Sequence, residues 1–129
     1  MADKRILVSD DEKDIRSLLG LWLRGAGYDV VEAKDGRETL DKVKKGKFDL
    51  ILLDLIMPGP DPKTLLKGIT DQSKGTPIIY LSATMSARIA SLEKNFEVEL
   101  KPPVYGFILK PVEREALLEK IESVLKNKK

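Results

Sequence analysis

The chain has 129 residues, one domain's worth with room for a sizeable core, and its 42% hydrophobic and 34% charged content is that of a folded globular chain. It has no cysteine and no histidine, which excludes disulfides, thiolate or imidazole metal sites, Ser-His-Asp triads and kinase chemistry through its own phosphohistidine. The net charge of +2 is outweighed by Lys126, Lys128 and Lys129 alone, so the basic balance reports a tail rather than a nucleic-acid face. The longest strongly apolar runs, Leu50 to Leu53 and Ile78 to Leu81, are too short for a membrane span. The polar start Met1 to Arg5 lacks a signal-peptide core, so a cytoplasmic protein is expected.

In chain order, Arg5 to Ser9 reads as a short strand ending at the acid pair Asp10-Asp11. Ile15, Leu18, Leu19, Trp22 and Leu23 then recur at helical spacing, with Gly25 and Gly27 as the stop. Trp22 fits that buried stripe and receives no functional role. Tyr28 to Ala33 is a second strand closed by Asp35-Gly36, and a short helix through Leu40 and Val43 halts near Gly46. Asp49 to Asp54 is apolar without alternation, which fits a central parallel strand covered on both faces. After the proline-rich loop Met57 to Pro60, Asp61 is an N-cap with Pro62 at the first helical position, and Leu65, Leu66 and Ile69 line the helix. Met57 is expected to pack. Pro77 to Leu81 is strand four, a helix follows over 87–96, and Pro102-Pro103 break whatever precedes strand five, Tyr105 to Leu109. The last helix starts near Glu113, with Leu117, Leu118, Ile121, Val124 and Leu125 on one face.

Strands alternating with helices predict an α/β fold: a parallel, doubly wound sheet with helices on both faces and ligands at the carboxyl ends of the strands. Those ends carry Asp10-Asp11, Asp54, Ser82 and Lys110. Three carboxylates brought together repel unless something cationic shares the site. Magnesium, a hard cation with oxygen ligands, does so, and Lys110 adds a fixed charge. The two together attract a phosphoryl group. Asp54, on the central strand, is then the carboxylate nucleophile, forming an acyl phosphate.

The series Asp10-Asp11, Asp54 with Met57-Pro58-Gly59, Ser82-Ala83 and Lys110-Pro111 resembles the receiver domain of two-component response regulators. The resemblance covers about residues 4–125 of a single domain, 1–129. It implies a flavodoxin-like five-stranded sheet in the order 2-1-3-4-5 and a cis bond at Lys110-Pro111. It also implies a Mg2+ cofactor held by Asp11, Asp54 and the Ile56 backbone carbonyl, with Asp10 acting through water. Asp54 would take the phosphoryl group from a sensor histidine kinase or histidine phosphotransfer protein. Ser82 and Lys110 would contact phosphoryl oxygens, Phe107 would be the switch aromatic, and a downstream protein target would read the result. Ile56 and Thr84 fall where side chains set the rate of dephosphorylation. A β-branched apolar group and a short hydroxyl offer little to orient a water, so they imply slow loss of the phosphate.

Taken singly, each residue has a plain structural explanation: Asp10-Asp11 as first-turn acids, Asp54 as a strand end, Ser82 as a loop hydroxyl, Lys110 as a solvated lysine, Phe107 as core. Four such sites in order on one sheet edge favour the functional reading. The reading is of a regulator, stand-alone or excised from a longer protein, rather than a turnover enzyme. One alternative is a metal-dependent phosphohydrolase with an aspartyl-phosphate intermediate, which lacks a proton donor because position 56 is Ile. The other is a non-phosphorylated receiver-like binding module. The stretch from Ser82 to Lys110 is longer than the family's usual spacing and lacks its glycine approach to strand five. An irregular connection is therefore expected over Asn95 to Val104. Pro62 also stands where a glycine is common.

Overall fold

A computed structural model describes residues 4–55, 57–82 and 102–127 of the chain. The elements are β1 (Arg5–Ser9), α1 (Lys13–Gly25), β2 (Asp29–Ala33), α2 (Gly36–Lys45), β3 (Leu50–Asp54), α3 (Pro62–Gln72), β4 (Ile78–Ser82), β5 (Val104–Leu109) and, as the last helix, α4 (Arg114–Asn127). The strands form one parallel sheet in the order β2-β1-β3-β4-β5, as the resemblance implies. The helix expected over 87–96, and residues 95–101 of the segment expected to be irregular over 95–104, lie outside the described residues. Pro102-Pro103 lie just before β5, joined by a cis bond, and the Pro103 carbonyl accepts a hydrogen bond from Ile78 N at 2.7 Å.

The unbroken apolar run of β3 is buried along its whole length because the sheet is covered on both sides. Leu50 and Leu52 pack with Leu19 and Leu23 of α1 and Leu117, Ile121 and Val124 of α4. Ile51 and Leu53 face the other way, onto Val43 of α2 and Leu65 and Ile69 of α3. Trp22 and Met57 are half-buried against the first and second of these clusters respectively. Leu18, expected in the α1 stripe, is instead 40% exposed.

The helix starts follow from side-chain acceptors. Asp35 accepts from Glu38 N at 2.8 Å while Glu38 accepts from Lys34 N at 3.0 Å, so two backbone donors at the start of α2 are satisfied. Asp61 accepts from Thr64 N at 2.8 Å with Pro62 behind it, the cap read from the sequence. That hydrogen bond holds the Asp61 carboxyl below its ordinary value of 3.8, the Thr64 hydroxyl and Lys63 adding to it against slight desolvation. The cap's contribution is therefore complete above pH 4 and is lost as pH falls through the lowered pKa. Urea midpoints of the parent and of Asp61→Ala are expected to differ at pH 7 and to converge on acidification.

One strand departs from simple alternation. Ile78 pairs with Val104 but Ile79 with Gly106, so β5 carries an extra residue at Tyr105. Gly106 adopts a φ of +153°, and a Cβ there would lie 2.8 Å from Lys120 Nζ, so only glycine fits without displacing that lysine. The slip sends Tyr105 to the α1/α4 side and Phe107 to the α2/α3 side, although two residues apart they would otherwise share a face.

Phe107 thereby pairs across the ladder with Tyr80 and stacks on it, with ring centroids 5.7 Å apart at 24°. Tyr80 is fully buried, and its hydroxyl finds no hydrogen-bond partner among the described residues. Burial pushes its pKa from 10.0 up to about 12. An unfolded chain ionises this phenol first, so the fold loses stability at this residue as pH rises from 10 towards 12. Tyr80→Phe is expected to gain about 1 kcal/mol at neutral pH by removing an unsatisfied hydroxyl. Its urea-derived stability should also fall less steeply above pH 10 than the parent's.

Candidate functional site

Backbone pairing continues one residue beyond three strand ends and so fixes the residues that follow. Asp10 N donates to Ala33 O at 3.1 Å, Leu55 N to Leu81 O at 2.9 Å, and Lys110 N to Ser82 O at 2.7 Å. Ser9 sits level with Leu53 and Asp54 with Leu81, so Asp10 and Asp54 emerge side by side on the carboxyl edge. Carboxylate oxygens of Asp10, Asp11 and Asp54 all lie within 4.8 Å of one another. Asp10 and Asp54 are buried and Asp11 is exposed, leaving one open side.

Lys110 reaches into this cluster from β5, its side chain only 12% exposed. Its Nζ lies 2.8 Å from Asp10 Oδ2, 3.4 Å from Asp54 Oδ2 and 3.5 Å from Glu12 Oε1. Burial alone would lower the lysine's pKa. Contact with Asp10 and the charges of Asp54, Asp10 and Glu12 outweigh that and raise it, so Lys110 is a fixed cation. Asp10 Oδ1 accepts from Glu12 N at 2.9 Å, which holds the carboxylate against the start of α1. Asp10 Oδ2 is buried and accepts no well-directed hydrogen bond, the ammonium meeting it as an ion pair. Three hard oxygen donors with one open side fit a divalent cation such as magnesium.

The structure thus brings Asp10, Asp11, Asp54 and Lys110 together. Ser82 is buried at the end of β4, one residue beyond the rung that holds Asp54, and is tied to Lys110 through the backbone. Phe107 lies on β5 three residues before Lys110, half-buried against Tyr80. The Lys110-Pro111 bond is cis, as the resemblance implies. Ile56 and Thr84 lie outside the described residues. Glu12, absent from the sequence reading, is a further carboxylate beside Lys110; its position directly after the acid pair was the available signal.

The comparisons with known proteins agree with this architecture. Residues 6–122 match the response regulator receiver domain family, and the chain belongs to it. It is 35% identical over 124 residues to the transcriptional regulatory protein ResD of Bacillus subtilis, covering 96% of this chain and 49% of that protein. It is 33% identical over 122 residues to the CAI-1 autoinducer sensor kinase/phosphatase CqsS of Vibrio cholerae, covering 92% of this chain and 17% of that protein. The chain therefore spans half or less of the length of these relatives. Among solved structures it superposes on a CheY-like response regulator receiver domain protein from Methanospirillum hungatei with a TM-score of 0.83. The identity is 28%, and the match covers 98% of this chain and 97% of that one. Chemotaxis protein CheY4 of Vibrio cholerae gives a TM-score of 0.80 at 33% identity, over 95% of this chain and 99% of that one. No helix among the described residues is long and apolar enough to cross a membrane.

Proposed function

We propose that this receiver domain is a phosphoryl-accepting switch in a two-component phosphorelay, with Asp54 as the acceptor and a phosphohistidine of a sensor kinase or phosphotransfer protein as the donor. The observation that carries this reading is Lys110 Nζ set between Asp10 and Asp54 beside a three-carboxylate cluster. In the transfer, an Asp54 carboxylate oxygen bonds to phosphorus as the phosphorus–nitrogen bond breaks, the electron pair leaving with the imidazole. Asp10, Asp11, Asp54 and the Ile56 carbonyl would hold magnesium, which supplies charge neutralisation at the equatorial phosphoryl oxygens. Lys110 pairs with one of those oxygens, and Ser82 hydrogen-bonds another. Phe107 turns as Ser82 moves, and the altered surface is read by a protein target in the cytoplasm.

Incubation with acetyl phosphate and magnesium, followed by intact mass, tests the reading. A single stoichiometric phosphoryl adduct is expected, whereas continuous release of inorganic phosphate without an adduct would support a phosphohydrolase. Ile56 and Thr84 are assigned the lifetime of that adduct, because positioning of the attacking water sets its hydrolysis. Ile56→Asn with Thr84→Glu is expected to speed decay several-fold in excess magnesium. An unchanged or slower decay removes both residues from that role.

A further inference from the structure

Past Ser9, the last paired residue of β1, the chain must turn into α1 while aiming two acidic side chains. Asp10 is held there at three atoms: N to Ala33, Oδ1 by Glu12 N, and its backbone carbonyl by Arg16 Nη1 at 2.7 Å. That last hydrogen bond comes from a guanidinium only 15% exposed, on the second turn of α1. Because the peptide unit is planar, fixing the Asp10 carbonyl fixes the plane that leads to Asp11. Asp11 is the exposed member of the acid cluster, and its N and Cα lie in that plane.

Arg16 is itself braced. Its Nε lies 3.6 Å from Glu32 Oε1 on β2, and Glu32 Oε2 lies 3.5 Å from Arg24 Nη2. Arg16, Gly20 and Arg24 are spaced four apart on one face of α1, and the glycine makes room for the bridge. A Cβ at Gly20 would sit 2.9 Å from Arg24 Nη1 and 3.3 Å from Glu32 Oε2. One carboxylate thus holds two arginines from the neighbouring strand, and one of those arginines holds the acidic turn. We propose that Arg16 is a positioning residue for cation binding: braced by Glu32, it fixes the Asp10 carbonyl and thereby aims Asp11 at the site formed with Asp10 and Asp54. The inference rests on the magnesium-dependent reading above.

The sign of the effect separates positioning from charge. A guanidinium near an acidic site repels a cation, so its removal would tighten magnesium binding if charge were its only influence. Positioning predicts the opposite. Calorimetric magnesium titrations of the full chain, with melts in chelator, compare the parent, Arg16→Lys and Arg16→Ala. Arg16→Ala is expected to bind about tenfold more weakly, as when a group that orients a metal ligand is lost. Arg16→Lys keeps a single donor and should recover part of that loss. Unchanged or tighter binding in an Arg16 variant that still melts cooperatively overturns the proposal. Loss of cooperative melting in both variants makes Arg16 a folding requirement and overturns it equally. A parent that binds no magnesium sinks the metal reading itself, whereas parent binding with unaffected Arg16 variants sinks only the positioning role.

Discussion

Asp54→Asn and Asp54→Ala are both expected to show no phosphoryl adduct under conditions in which the parent is fully modified. Asp54 ends the central strand, is 8% exposed, and faces Lys110 Nζ at 3.4 Å. Its carboxylate is thus desolvated yet charge-compensated, which suits an in-line attack on phosphorus. The amide of the Asn variant fills the same space but has no anionic oxygen to attack with. Its melt should stay close to the parent's, so a lost adduct cannot be ascribed to unfolding. The Ala variant removes the side chain altogether and checks that no neighbouring acid substitutes. Asp10 and Asp11 are the candidates for such substitution, since their oxygens lie within 4.8 Å of Asp54's. An adduct of parental stoichiometry in either variant would falsify the assignment of Asp54, and peptide mapping would identify the acid that replaced it.

Local pattern sufficed where local chemistry decides. The apolar-both-faces run at β3, the Asp61-Pro62 helix start and the acids at the strand ends are each set by neighbours a few residues away, and each stands where the sequence placed it. Strand limits moved by a residue because pairing with a distant strand decides them. The fourth strand, read as Pro77 to Leu81, runs from Ile78 to Ser82, and the Pro77 carbonyl accepts from Ile51 N at 2.9 Å. The slip at Gly106 was invisible for the same reason. It depends on the register of β5 against β4, and nothing in Tyr105-Gly106-Phe107 alone states which residue is extra. The Arg16–Glu32–Arg24 bridge was legible only in part: the four-residue spacing stands in the sequence, but Glu32 comes from the adjacent strand. Of the site itself, the charge types were readable. Which charges touch was not.

Lys110→Ala is expected to lower stability by about 3 kcal/mol at neutral pH in chelator, because it removes the cation that compensates two buried carboxylates. The lysine lies 2.8 Å from Asp10, which is wholly buried, and 3.4 Å from Asp54. In a chain of 129 residues that loss corresponds to a fall of about 10 °C in Tm. Adding magnesium should narrow the gap. A site without the ammonium repels a divalent cation less, so the variant should bind magnesium more tightly than the parent and gain more from it. Ligand linkage gives the scale, about 2.7 kcal/mol when the metal is at a hundred times its Kd. The cation can supply the missing positive charge but not the link to the acids from β5, which carries Phe107 and ends just before Lys110. The variant should therefore still accept a phosphoryl group while its protein target no longer distinguishes the two states. Melts of parent and variant, each in chelator and in excess magnesium, measure all four corners of this cycle. Equal melting in chelator would mean that Lys110 does not neutralise the cluster, and an equal response to magnesium would mean that it does not compete with the metal.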